Sequence, residues 1–370
     1  MSKYLSGRHS ALTPYVPGEQ PADMVYIKLN TNESPYPPPP SVISAVNAAE
    51  VSKLNLYPNP DGSGLINKLA EFYNVRPENV IIGNGSDELL AFAFLAFCDE
   101  KRGVAFPDIT YGFYPVYAQL YGIKYEQIPL KDDLSIDPAD YFNAGKNVVI
   151  ANPNAPTGIA LPLGGIEAII KSNPGYMVLI DEAYVDFGAE SALPLLSKYD
   201  NLLIVHTYSK SRSMAGARLS FALGAAPLIR DLNTMKYSFN PYNVNRLTQL
   251  MGEAALLDEV YYADKRREIV ETRAYATSSL KDLGFVTTDS KANFIFAKYP
   301  GADGFELYSA LKEKGILVRH LDKQRISDYI RITIGTKKQM DALIDALADI
   351  IIDIPKGTNA FTRDREPPYP

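Results

Sequence analysis

A chain of 370 residues, 46% hydrophobic and 22% charged, is long enough to bury one or two substantial cores. Its 37 basic against 43 acidic residues give a formal net charge of -6, which argues against a general pull toward nucleic acid. One cysteine, Cys98, excludes an intrachain disulfide, and no apolar run approaches the ~20 residues of a membrane span. The start, MSKYLSGRHS, lacks the apolar centre of a signal peptide, so a soluble cytoplasmic protein is expected. His9, His206 and His320 lie far apart without ligand spacing, so no metal site is expected.

In chain order, residues 1–40 are proline-rich, end in Pro37 to Pro40, and read as an extended arm outside the core. From Ser41 to Leu257 apolar runs alternate with helical patterns. Val80 to Ile82 precedes a helix from about Ser86, and Val104 to Phe106 precedes a helical stretch from Tyr114 to Tyr121. Val148 to Ile150, Met177 to Ile180, Leu202 to Val205 and Leu219 to Leu223 are further short runs. Such alternation predicts an α/β domain with a mostly parallel sheet flanked by helices, whose ligand sits beyond the strands' carboxyl ends. Cys98, beside the apolar window Leu89 to Phe97, is expected to be buried and inert. Helix formers dominate 246–283. ANFIFAKYP, GFELYSALKEKG, ILVRH, YIRITIG and a last helix from Lys337 to Ile351 then make a smaller α+β unit over 258–355. The polar tail, 356–370, is expected to be loose.

Chemistry-bearing residues gather where the apolar runs end. Asp181 follows Val178 to Ile180, at a position that suits either a ligand contact or an ordinary cap. NPNAPTG, 152–158, dictates a turn. Gly85, Ser86 and Asp87 stand between a strand and an apolar helix, where free backbone N–H groups make an anion site. The third glycine of a dinucleotide fingerprint is missing there (Glu88), so a single phosphate fits better. Lys210 follows Leu202 to Val205, with Thr207 and Ser209 beside it and Arg218 eight residues on. A lysine for a Schiff base, an acid for a pyridine nitrogen and several phosphate donors together suggest pyridoxal phosphate.

The chain also resembles the pyridoxal-phosphate aminotransferases of the aspartate-aminotransferase fold, nearly from end to end. The resemblance is carried by LNTNESPY, YPNPDG, GNGSDELL, TYGFYPVY, NPNAPTG, LIDEAYVDF, TYSKSRSMAGARLS, PYNVN, ANFIF and RITIGT, in order. It implies the fold with large domain 41–257, smaller domain and arm. It implies that Lys210 bonds the cofactor aldehyde and shuttles a proton, and that Asp181 pairs with the pyridinium. Tyr184 would bond the ring oxygen O3′ and Tyr111 would stack on the ring. Gly85, Ser86, Asp87, Thr207, Ser209 and Arg218 would hold the phosphate. Tyr57 would reach the neighbouring subunit's phosphate, which implies a homodimer. Arg331 would hold the substrate's acid group, with Arg319, Tyr15 and Asn32 as further substrate contacts.

The implied reaction is amino transfer between L-histidinol phosphate and 2-oxoglutarate, in histidine biosynthesis. Aromatic aminotransferases and threonine-phosphate decarboxylase share the fold and the cofactor motifs. Two positions depart from the family pattern. Ala155 stands where an asparagine usually bonds O3′, so either Asn154, one residue earlier, substitutes for it or Tyr184 acts alone. Ser213 stands where a glycine is usual, three residues after the lysine.

Overall fold

The computed structural model describes residues 4–352. The tail expected at 356–370 lies outside the described residues.

The larger sheet has seven strands: β2 (Val80–Gly83), β3 (Val104–Pro107), β4 (Tyr125–Ile128), β5 (Asn147–Ala151), β6 (Val178–Asp181), β7 (Leu202–Thr207) and β8 (Ser220–Gly224), preceded in the chain by the short β1 (Ile27–Lys28). Their order is β2-β8-β7-β6-β5-β3-β4, and only β8 runs against its neighbours. This is the mostly parallel sheet that the apolar runs predict. The central strands are apolar throughout because helices cover both faces. Alternate residues serve opposite cores: Val178 and Ile180 pack in one, Leu179 in the other. Leu202 and Ile204 likewise oppose Leu203 and Val205.

This topology decides where the site can form. β2, β5, β6 and β7 all end at one edge, and the antiparallel β8 begins there. That edge therefore gathers Gly83, Ala151, Asp181, Thr207 and Ser220. The helix Ser86–Phe97 starts beside it. Cys98 is buried, its thiol pushed up to about 12 chiefly by burial.

The smaller unit carries β9 (Val286–Thr287), β10 (Phe294–Lys298), β11 (Ile316–Leu317), β12 (Arg319–His320) and β13 (Ile330–Thr333). Its antiparallel sheet runs β12-β13-β10-β9. The helices Glu259–Asp282, Gly304–Glu313 and Lys337–Ile352 pack on it through Ile269, Leu307, Leu311, Leu343 and Leu347. None of the described helices is long and apolar enough to cross a membrane.

One expectation fails. Residues 27–29 of the proline-rich arm belong to the core rather than lying outside it. β1 pairs in parallel with β11. Leu29 is 1% exposed within the smaller unit's core, donating its N–H to Leu317 and accepting from the Thr333 N–H. Two strand residues between polar neighbours are too short a pattern to show periodicity. Leu29→Ala should cost about 2–5 kcal/mol in a urea melt, as for a filled core position. A free arm would make the substitution silent.

Candidate active site

A cavity of about 320 Å³ opens at the shared carboxyl edge of the larger sheet. At one end stands the N-terminus of the helix Ser86–Phe97, whose first N–H groups have no partner within the helix. Gly85 precedes it with φ +81°, and a Cβ there would lie 2.3 Å from Arg218 Nη2. The positive φ favours glycine, and the absent Cβ lets the guanidinium approach. Arg218 pairs with Asp87 at 2.8 Å, and the other oxygen of Asp87 accepts from Tyr111 at 2.7 Å. Ser86, Thr207 and Ser209 also line this end, with Thr207 Oγ donating to Ser209 Oγ at 3.0 Å. The predicted phosphate donors therefore converge, and a helix start with an arginine suits an anion.

Asp181 closes the deep side. Its carboxylate accepts from the Tyr114 hydroxyl at 3.0 Å and the Ala183 N–H at 3.2 Å. Burial pushes its pKa up to about 6, more than those two bonds pull it down. No basic side chain among the described residues pairs with it directly. Tyr114 was not anticipated from sequence. Its signal was there, since Tyr111, Tyr114 and Tyr117 recur at helical spacing in TYGFYPVY.

Lys210 faces the same cavity, its Nζ 3.4 Å from the Thr31 carbonyl and 5.6 Å from the Tyr184 ring centroid. It makes no ion pair among the described residues, so its amine is available for chemistry. Tyr184 lines the cavity and stands edge-on to Phe294 at 5.2 Å. Ser213 has φ +54°, the conformation glycine favours, at roughly 1 kcal/mol for a side chain. Its hydroxyl donates to Ser34 at 2.8 Å.

Asn154 does not take the place of the usual asparagine. Its amide donates to the Ile109 carbonyl at 2.9 Å and to Thr157 at 3.1 Å, and its oxygen accepts from Thr110 at 2.8 Å. These bonds commit the side chain to the turn, and the residue lining the cavity is Ala155.

The expected substrate contacts are not on the cavity wall. Tyr15 stacks on Phe113 at 4.2 Å and lies 6.0 Å from Tyr111. Arg319 donates to the carbonyls of Val16 and Pro17, which secures the arm. Arg331 donates to the Asn30 carbonyl at 3.1 Å, lies 5.4 Å from the Phe294 ring, and keeps a buried Nε without a hydrogen-bond partner among the described residues. Burial lowers its pKa, yet a guanidinium stays charged. Asn32 bonds Tyr184 and Thr333 instead of facing the cavity. Tyr57 is 77% exposed and stacked on Tyr242 at 4.4 Å, and does not line the cavity of its own chain.

A second buried acid also escaped sequence reasoning. Glu182 accepts from Ser191 and the Ala192 N–H, both at 2.6 Å. It lies 3.2 Å from His206 Nε2, though not aligned for a hydrogen bond. Burial raises the acid and lowers the imidazole, which favours both being neutral.

The chain matches the family described as aminotransferase class I and II over residues 25–347. It is 49% identical over 352 residues to histidinol-phosphate aminotransferase of Brachyspira hyodysenteriae, covering 95% of this chain and 99% of the relative. It is 51% identical over 351 residues to the enzyme of that name from Marinomonas sp., covering 94% and 99%. Among solved structures, histidinol-phosphate aminotransferase from Sinorhizobium meliloti, in complex with pyridoxal 5′-phosphate, shares the fold. Its TM-score is 0.80 at 24% identity, covering 90% of this chain and 92% of that one. The chain belongs to the class I and II aminotransferases. Within that class it falls among the histidinol-phosphate aminotransferases.

The buried acid gives a pH test. Asp181 sits at about 6 in the folded chain, against about 4 unfolded. The folded state therefore binds this proton more tightly, and stability falls as pH rises between those values. Cofactor-free Asp181→Asn should be more stable than the parent by about 2–3 kcal/mol at pH 8, the gap closing below about pH 4. Urea melts across pH measure this, and a pH-independent gap would contradict a burial cost.

Proposed function

We propose that the chain transfers the amino group of L-histidinol phosphate to 2-oxoglutarate, yielding imidazole acetol phosphate and L-glutamate, with pyridoxal 5′-phosphate as cofactor. The observation that carries this reading is one cavity with Lys210, Asp181 and the Gly85–Arg218 cradle around it. The residues fit the cofactor. With no Cβ at position 85, the Arg218 guanidinium lies close to the helix start that would receive a phosphate. A buried carboxylate with no paired cation suits a protonated ring nitrogen.

When bound, pyridoxal phosphate supplies an aldehyde for amine exchange and a ring that takes up an electron pair. Ser86, Thr207, Ser209, Arg218 and the helix N-terminus hold its phosphate. Asp181 keeps the proton on the ring nitrogen, and Tyr114 keeps Asp181 in place. Tyr111 covers the ring face. Lys210, whose amine faces the cavity, would hold the aldehyde and, once free, would carry the proton taken from the amino donor's Cα. Arg331 receives the anionic group of each substrate; its unpartnered Nε is the spare donor for it.

A homodimer completes the reading, with Tyr57 reaching the partner's phosphate. Its support is the exposure of Leu54, Leu56 and Tyr57 along one loop.

Glutamate formation from 2-oxoglutarate tests the proposal. L-histidinol phosphate should exceed phenylalanine and threonine phosphate as donor by kcat/KM. Preference for phenylalanine would reject the donor, and carbon dioxide release from threonine phosphate would reject amino transfer. Lys210→Ala should lower turnover by about 10³-fold or more. Arg331→Ala should act mainly on KM, raising it about 10–100-fold.

A further inference from the structure

We infer that Asn32 is a positioning residue that aims the Tyr184 hydroxyl proton into the cavity. The inference rests on the cofactor reading above and goes beyond it. Asn32 is 1% exposed and has φ +54°. Its backbone N–H donates to Thr333 Oγ at 2.9 Å. The Thr333 hydroxyl, having accepted that bond, donates to Asn32 Oδ1 at 3.1 Å. In this arrangement the oxygen end of the amide faces Thr333. The nitrogen end therefore faces Tyr184 and donates to its hydroxyl at 2.9 Å. Asn293 Nδ2 holds the Asn32 carbonyl at 3.1 Å, so backbone and side chain are both held.

A phenol that accepts a hydrogen bond must send its own proton elsewhere, and donates more strongly for having accepted. Ala155 lines the same cavity and offers a methyl group, so it cannot assist. Tyr184 is thus the side chain suited to donate to the ring oxygen, and Asn32 sets its direction. The charged and titratable groups around Tyr184 are Lys210, Arg331, Tyr15 and Tyr114, and none of them reproduces the bond from Asn32.

Asn32→Asp is the sharpest variant. Aspartate tolerates positive φ and can still accept from Thr333, but it offers Tyr184 an acceptor and draws the phenol proton out of the cavity. A donor on the ring oxygen favours the state in which that oxygen is most anionic, which is the deprotonated one. Losing it should raise the pH midpoint of the bound cofactor's absorption change by roughly one unit. Affinity of the cofactor-free protein for pyridoxamine phosphate, by calorimetry, should fall about tenfold. Thr333→Val, which frees the amide, should move both readouts the same way by less. In a Tyr184→Phe background both variants should change neither readout.

Undiminished effects in the Tyr184→Phe background would overturn the inference. So would an unmoved midpoint with a raised KM for the amino donor, which would make Asn32 a substrate contact. Failure of the parent protein to bind pyridoxamine phosphate would instead defeat the proposed function.

Discussion

The buried carboxylate of Asp181 is the constraint on which the site depends. An acid at the end of a central strand, walled by two apolar cores, is held near 6 by its surroundings. Tyr114 and the Ala183 N–H offset part of the cost of ionising it. What remains favours a ligand that brings a cation to this point. The parallel sheet supplies the geometry, because β5, β6 and β7 end together and place Ala151, Asp181 and Thr207 along one edge. The helix start at Ser86 and Arg218 lie where the antiparallel β8 begins beside the end of β2. Arg218 precedes β8 with φ +53°, a strained conformation that brings its guanidinium over Gly85.

The arm connects this edge to the smaller unit. Asn30, Thr31 and Asn32 each touch a different site residue: Arg331, Lys210 and Tyr184. The same stretch is anchored by β1 and by Leu29 in the smaller unit's core. A short run of chain thus spans the proposed anion contact, the amine and the phenol. The positions of Arg331 and Lys210 are therefore tied to one backbone segment.

Much of this was legible in the sequence, for a physical reason. Strands buried on both faces must be apolar, so Val178 to Ile180 and Leu202 to Val205 announced themselves. The residues after them stand where ligands of such sheets bind, and Asp181, Thr207, Ser209, Lys210 and Arg218 do converge on one cavity. What escaped depends on partners distant in the chain. β1 shows no periodicity and exists because β11 pairs with it. Arg319 bonds carbonyls some three hundred residues earlier. Asn154 and Ala155 are adjacent, yet the backbone turn alone decides which of them faces the cavity. Asn32 reads as a polar arm residue until Thr333 and Tyr184 are placed around it.

The most direct test is an absorption spectrum of the cofactor-loaded protein on adding L-histidinol phosphate with no oxo acid present. The account predicts conversion from the pyridoxal to the pyridoxamine form, one equivalent per site, reversed by 2-oxoglutarate. A spectrum that L-histidinol phosphate leaves unchanged would contradict it.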